Sequence, residues 1–156
     1  MVAHVVLAAV LAGLAGSAAG VAGLRRRVVI VTVFGPSMQP ALRAGDRVLV
    51  RRTEAGGLRA GQIVVIERPG PDGRWGTIPA GQPTSGREWI IKRLAAVPGD
   101  RCPDGVARTA AGLTVPPGQF VVLGDNAANS LDSRAFGYIP AERLLGVMLR
   151  PLRGSQ

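Results

Sequence analysis

The pattern of apolar and polar positions divides the chain near residue 24. Residues 3–24, AHVVLAAVLAGLAGSAAGVAGL, form a run of 22 residues without Asp, Glu, Lys or Arg. A helix of that length rises roughly 33 Å, enough to cross the hydrocarbon core of a bilayer. The segment is therefore read as a single N-terminal transmembrane helix, an anchor over 1–24. Two other readings compete. SAAG resembles a small-residue cleavage site of a removed leader, although no Lys or Arg precedes the apolar run; a buried helix of a soluble domain is the third option. Arg25, Arg26 and Arg27 follow at once. The positive-inside rule puts such residues on the cytoplasmic side, whereas contact with lipid headgroups would explain them equally well. Membrane orientation stays open.

From Val28 onward the period changes. The runs VVIVTVF (28–34), DRVLV (46–50), QIVVI (62–66), WIIKRL (89–94), QFVVLGD (119–125) and LLGVML (144–149) are short, rich in aliphatic and β-branched residues, and bounded by Gly, Pro, Asp or Asn. Spacing of this kind predicts an all-β domain over 28–156; βαβ units would need helical stretches between the strands. The segment 69–87, PGPDGRWGTIPAGQPTSGR, has no periodicity and reads as a surface loop.

Composition sharpens this picture. With 22 Gly and 12 Pro a helical bundle is excluded, and with aromatics at 4% the core must rest on aliphatic side chains. The net charge of +9 falls entirely on residues 25–156. Such a surface attracts anions, and membrane lipid is preferred to nucleic acid because no nucleic-acid-binding motif is present. A solvated Arg-rich surface is the plainer alternative. A lone cysteine, Cys102, excludes an intrachain disulfide and a cysteine-based metal cluster, and it is read as structural. The single histidine is His4, inside the apolar N-terminus, so a Ser-His-Asp or Cys-His enzyme is excluded unless His4 reaches the site. A hydrolase built on this domain must use another base.

Lys92 is the only lysine among 19 Lys and Arg residues, and it lies inside an apolar run. Arginine does not lose its proton in a protein, whereas a desolvated lysine can become a neutral amine near neutral pH. An ordinary strand lysine with its ammonium in water is the plain alternative. Ser37 lies in FGPSMQPAL, where Gly35, Pro36 and Pro40 set a fixed bend that can hold a serine exposed. Any isolated serine is more commonly a turn residue. The segment GDNAANSLDSRAFG (124–137) gathers Asp125, Asn126, Asn129, Ser130, Asp132, Ser133 and Arg134 beside an apolar strand. A hydrogen-bonded turn would account for most of these, though not for the collection of charges.

Taken together, GPSMQPAL, AGDRVLV, IIKRLAAVPGD and GDNAANSLDSRAFGYIP resemble, in order, the sequence boxes of type I signal peptidases. They cover most of residues 34–140, and part of the pattern is shared with mitochondrial inner-membrane peptidases and LexA-type self-cleaving repressors. The resemblance implies an all-β catalytic domain of the signal-peptidase/LexA-like fold. It implies Ser37 as nucleophile, Lys92 as general base and Ser130 as the serine that orients the lysine. It further implies Asp132 and Arg134 as a charged pair bracing the site, with Asp125 nearby. Gly35 stands where some members carry a hydroxyl that helps form the oxyanion hole, and Pro36 has no N–H, so Ser37 N–H and a main-chain group at Gly35 are left to do so.

The activity implied is that of a membrane-bound serine endopeptidase. It would cleave after small residues to remove signal peptides from exported precursors, with no metal or organic cofactor. Its expected place is the cell membrane, with the catalytic domain outside the cytoplasm. A peptidase dedicated to one or a few clients and a catalytically silent membrane-tethered module are the alternatives. A self-cleaving repressor would need a DNA-binding domain that residues 1–24 are too short and too apolar to form.

Overall fold

Each of the six apolar runs becomes a strand in the computed structural model, which describes residues 27–76, 87–106 and 114–152. The anchor expected over 1–24, Arg25 and Arg26 lie outside the described residues, among which no helix is long and apolar enough to cross a membrane. The strands are β1 (Val28–Thr32), β2 (Arg47–Arg52), β3 (Ile63–Glu67), β4 (Trp89–Ala96), β5 (Gln119–Leu123), β6 (Ile139–Pro140) and β7 (Leu144–Leu152). One short helix, α1 (Ser133–Phe136), precedes β6.

The strands form one antiparallel sheet in the order β1-β2-β7-β3-β4-β5-β6. The last strand is thus inserted between β2 and β3. Register shifts at Leu49/Val50, Val65/Ile66 and Leu94/Ala96 bend and twist the sheet. In β3, Ile63, Val64, Val65 and Ile66 are all buried, because both faces of this central strand are covered. Ile63 and Val65 pack with Val33, Met38, Leu42, Val48, Val50, Ile91 and Leu145. Val64 and Ile66 pack on the other side with Leu94, Phe120, Val122, Phe136 and Ile139. Cys102 is buried in a third, smaller cluster with Ala96, Val106, Val115 and Val121.

Two elements differ from the sequence expectation. β6 is only two residues long and contains Pro140, which an edge strand tolerates because it can leave its missing N–H on the open side. β7 runs past the apolar stretch 144–149 to Leu152, because β2 supplies partners: Val48 faces Pro151 and Arg47 faces Leu152.

The loop at 69–87 is tied down where it is described. Trp75 packs edge-on against Phe136 with ring centroids 6.2 Å apart, and the Arg143 guanidinium stands 5.4 Å from the Trp75 ring. Buried Arg143 also hydrogen-bonds Glu67 at 3.1 Å and the Gly76 carbonyl. Arg87 reaches the same Glu67 carboxylate at 3.5 Å. Glu67 therefore ties the loop down at two points, directly through Arg87 and by way of Arg143 at Gly76. The remainder of the loop, 77–86, lies outside the described residues.

Candidate active site

Ser37 is presented by the turn after β1. Gly35 takes φ +74°, a left-handed conformation that glycine adopts without steric cost. The chain then turns through hydrogen bonds from Gln39 N–H to the Pro36 carbonyl and from Leu42 N–H to the Met38 carbonyl. Met38 and Leu42 are buried in the first core cluster and anchor the turn. Ser37 sits half-buried between exposed Pro36 and buried Met38. Its carbonyl accepts a bond from Asn126 N–H at 3.0 Å, while among the described residues nothing accepts its own N–H.

Lys92 comes from the middle of β4. By strand alternation it shares a face with Ile90 and Leu94, and it is only 4% exposed. Its Nζ is hydrogen-bonded to Ser37 Oγ at 2.7 Å. Burial pushes the amine below its usual pKa; the Asp132 carboxylate opposes this, and the Arg134 guanidinium adds to it.

The loop after β5 closes the site from the other side. Asp132 is fully buried and caps α1. Its carboxylate accepts bonds from Gly124 N–H at 2.8 Å, Ser130 Oγ at 2.7 Å, and Arg134 through its N–H at 3.1 Å, Nε at 2.9 Å and Nη2 at 2.6 Å. Burial alone would raise this carboxyl, but the bond from Arg134, with those from Gly124 and Ser130, outweighs it and holds the pKa at about 2. The hydrogen bond that the Ser130 hydroxyl donates goes to Asp132, not to Lys92. Asp125 forms a bidentate pair with Arg93, both bonds at 2.7 Å. Arg93 follows Lys92 directly and also bonds the Gly61 carbonyl at 2.8 Å, so this pair ties the lysine strand to the 124–134 loop.

Ser37, Lys92, Gly35, Ser130, Asp132 and Arg134 thus gather at the dyad, whereas Asp125 is held by Arg93, whose side chain leaves β4 on the face opposite Lys92. Two residues not singled out in the sequence complete the arrangement. One is Arg93. The other is Gly124, where a Cβ would stand 2.1 Å from Ser130 Oγ and 2.7 Å from the Ser37 carbonyl. No periodicity marks that requirement, because both neighbours come from elsewhere in the chain.

From the dyad a groove of about 800 Å³ extends between β1 and β4, lined by Val29, Val31, Phe34, Ile90, Ile91 and Leu145 among others. The outer edge of β1 is unpaired among the described residues. So is one edge of β4 over 89–92, since β5 pairs only with Arg93 and beyond. Both strands run toward the dyad. No group of His, Cys, Asp and Glu with metal-binding geometry occurs among the described residues.

Comparison with known proteins agrees with this architecture. Residues 3–103 and 103–152 match the family described as signal peptidase, peptidase S26. Mitochondrial inner membrane protease subunit 1 of Schizosaccharomyces pombe is 30% identical over 110 residues, covering 68% of this chain and 61% of that protein. Signal peptidase IB of Staphylococcus aureus is 28% identical over 154 residues, covering 74% and 72%. Probable signal peptidase I-2 of Synechocystis is 31% identical over 132 residues, covering 70% of this chain and 56% of that protein. The chain thus spans 56% to 72% of the length of these relatives. On the extent of the family match, it belongs to the signal peptidase family, peptidase S26.

Proposed function

We propose that the chain is a membrane-bound serine endopeptidase that removes signal peptides from exported precursor proteins, with Ser37 as nucleophile and Lys92 as general base. The observation that carries this reading is the 2.7 Å contact between Lys92 Nζ and Ser37 Oγ inside an apolar setting. An exposed lysine, with a pKa of about 10.4, is almost wholly protonated at pH 7 and cannot act as a base. A buried one, pushed down as Lys92 is, can take the serine proton.

Neutral Lys92 would accept the Ser37 hydroxyl proton as Oγ attacks the scissile carbonyl. The free Ser37 N–H would stabilise the developing oxyanion. The lysine ammonium would then protonate the leaving amine, and water activated by Lys92 would release the acyl group. Ser130 reaches the site through Asp132: its hydroxyl is held by that carboxylate, whose charge opposes the lowering of the Lys92 pKa.

The open edges of β1 and β4 offer main-chain partners on both sides of an extended peptide, which would add as a strand between them. Aliphatic walls close to the dyad suit small side chains next to the cut. Phe34, 84% exposed at the groove, and Leu131, 57% exposed beside Ser130, give the site an apolar rim suited to a bilayer surface.

Cleavage of a reporter precursor ending in Ala-x-Ala tests the reading, using wild type, Ser37→Ala and Lys92→Ala in detergent or lipid. Cutting by wild type alone, at the small-residue site, supports it. Cutting by Ser37→Ala would sink it.

A further inference from the structure

The groove continues well beyond the dyad, and its far end differs in character. We propose that this end selects an acidic side chain on the peptide, about five residues before the scissile bond at about 3.3 Å per extended residue. The proposal rests on the reading of the groove as a peptide site given above.

Following β4 back from Lys92 leads to Arg87, about 17 Å away for an extended strand. β1 runs alongside, from Thr32 back to Val29. A peptide whose carbonyl meets Ser37, and whose preceding residues lie between these strands, brings its upstream side chains to that end. There the groove is lined by Arg52, Arg68 and Arg87, with Glu88 as the one carboxylate. Glu88 is engaged by Arg68 at 3.0 Å. Behind the wall, Glu67 is shared between Arg87 at 3.5 Å and Arg143 at 3.1 Å. Three guanidinium groups therefore share two carboxylates, and the fourth, Arg52, makes no ion pair among the described residues.

Among the described residues no further Asp or Glu forms an ion pair with Arg52, Arg68 or Arg87. Every Asp and Glu in the sequence lies within the described residues, so the side chains outside them are neutral or basic. Arg27 directly precedes β1 at the same end and adds to the excess. A cleft with apolar walls and one sign of charge concentrates the field along its axis. Arg87 is mostly buried in the wall, and Arg52 and Arg68 line the same cavity as the dyad. That placement favours a ligand inside the groove over a lipid surface outside it.

The test is a set of peptides ending in Ala-x-Ala before the cut, with Glu, Gln or Lys at the fifth residue upstream, and a further peptide with Glu five residues after the cut. The full chain in detergent is assayed with each. The expected kcat/KM is about twofold to fivefold higher for upstream Glu than for Gln, and lower for Lys than for Gln. In Arg52→Gln the Glu-to-Gln ratio falls toward one, and in Arg52→Lys most of it remains. Each ratio is taken within one enzyme preparation, so partial misfolding does not imitate the effect.

Ser37-dependent cleavage at equal rates for all upstream residues overturns the proposal and leaves the peptidase reading standing. A preference for Glu only after the cut also overturns it. Equal rates that all rise together with anionic vesicles, but not with neutral ones, assign the arginines to a membrane and overturn it as well. If no peptide is cut, the peptidase reading falls and this one falls with it.

Discussion

Replacing Gly124 by alanine perturbs the site without removing any functional side chain from it. The added Cβ would lie 2.1 Å from Ser130 Oγ, 2.6 Å from Ser130 Cβ and 2.7 Å from the Ser37 carbonyl oxygen. Non-bonded carbons settle at about 3.5–4.0 Å, so Ser130 and the Ser37 peptide must each retreat by roughly 1 Å. The first movement stretches the 2.7 Å bond from Ser130 to Asp132, and the second tilts Ser37 away from Lys92. A misplacement of about 1 Å costs on the order of 100-fold in rate, and overpacking of this kind costs about 1–3 kcal/mol of stability. Cleavage kinetics on the reporter precursor, together with urea unfolding, measure both quantities. Adding Ser130→Gly to Gly124→Ala removes two of the three clashes. The stabilities of the two variants should then fail to add by more than about 0.5 kcal/mol. A Gly124→Ala enzyme with wild-type kcat/KM and an unchanged unfolding midpoint would refute the close approach on which this reasoning depends.

Lys92→Arg should lose cleavage by at least about 100-fold despite its similar size, since a guanidinium cannot serve as the base; a pH–rate profile of wild type should show one rising limb with a midpoint below 10.5. Asp132→Asn should cost about 2–3 kcal/mol in urea unfolding near neutral pH, because the neutral amide cannot accept all the bonds that converge there. The depressed Asp132 pKa adds about 2 kcal/mol to wild-type stability, present in full above about pH 4 and lost as pH falls through about 2; the gap between wild type and Asp132→Asn should close over that window. For the Arg93–Asp125 pair, whose arginine is more than a third exposed, a double-mutant cycle should give a coupling of only about 1 kcal/mol. A loss of activity in Asp125→Asn larger than its loss of stability would indicate that the pair positions Lys92.

The strands were legible in the sequence wherever burial is written into it. The run IVVI is apolar throughout because both faces of β3 are covered. β6 was not legible, since a two-residue pairing that includes Pro140 carries no period. Nor was the polar end of β7, which is a strand only because β2 lies beside it. In the site, Ser37 and Lys92 stood out through residue chemistry: a serine on a glycine–proline bend and a single lysine in an apolar run. Spacing could not place them 2.7 Å apart, because that contact is made by the sheet. Arg93 looked like one more arginine among many until Asp125 gave it a partner. The clamp of Glu67 by Arg87 and Arg143 was equally invisible, as its members lie up to 76 residues apart in the chain.

The position of β7 also sets when the dyad can exist. Ser37 follows the β1–β2 half and Lys92 lies in the β3–β4 half, and among the described strands these halves are paired through β7. A nascent chain that has reached Arg143 already contains Ser37 and Lys92, yet it lacks the strand whose backbone pairs with both halves. Arrival of β7, rather than appearance of the two residues in the chain, therefore completes the backbone frame that holds Ser37 and Lys92 together.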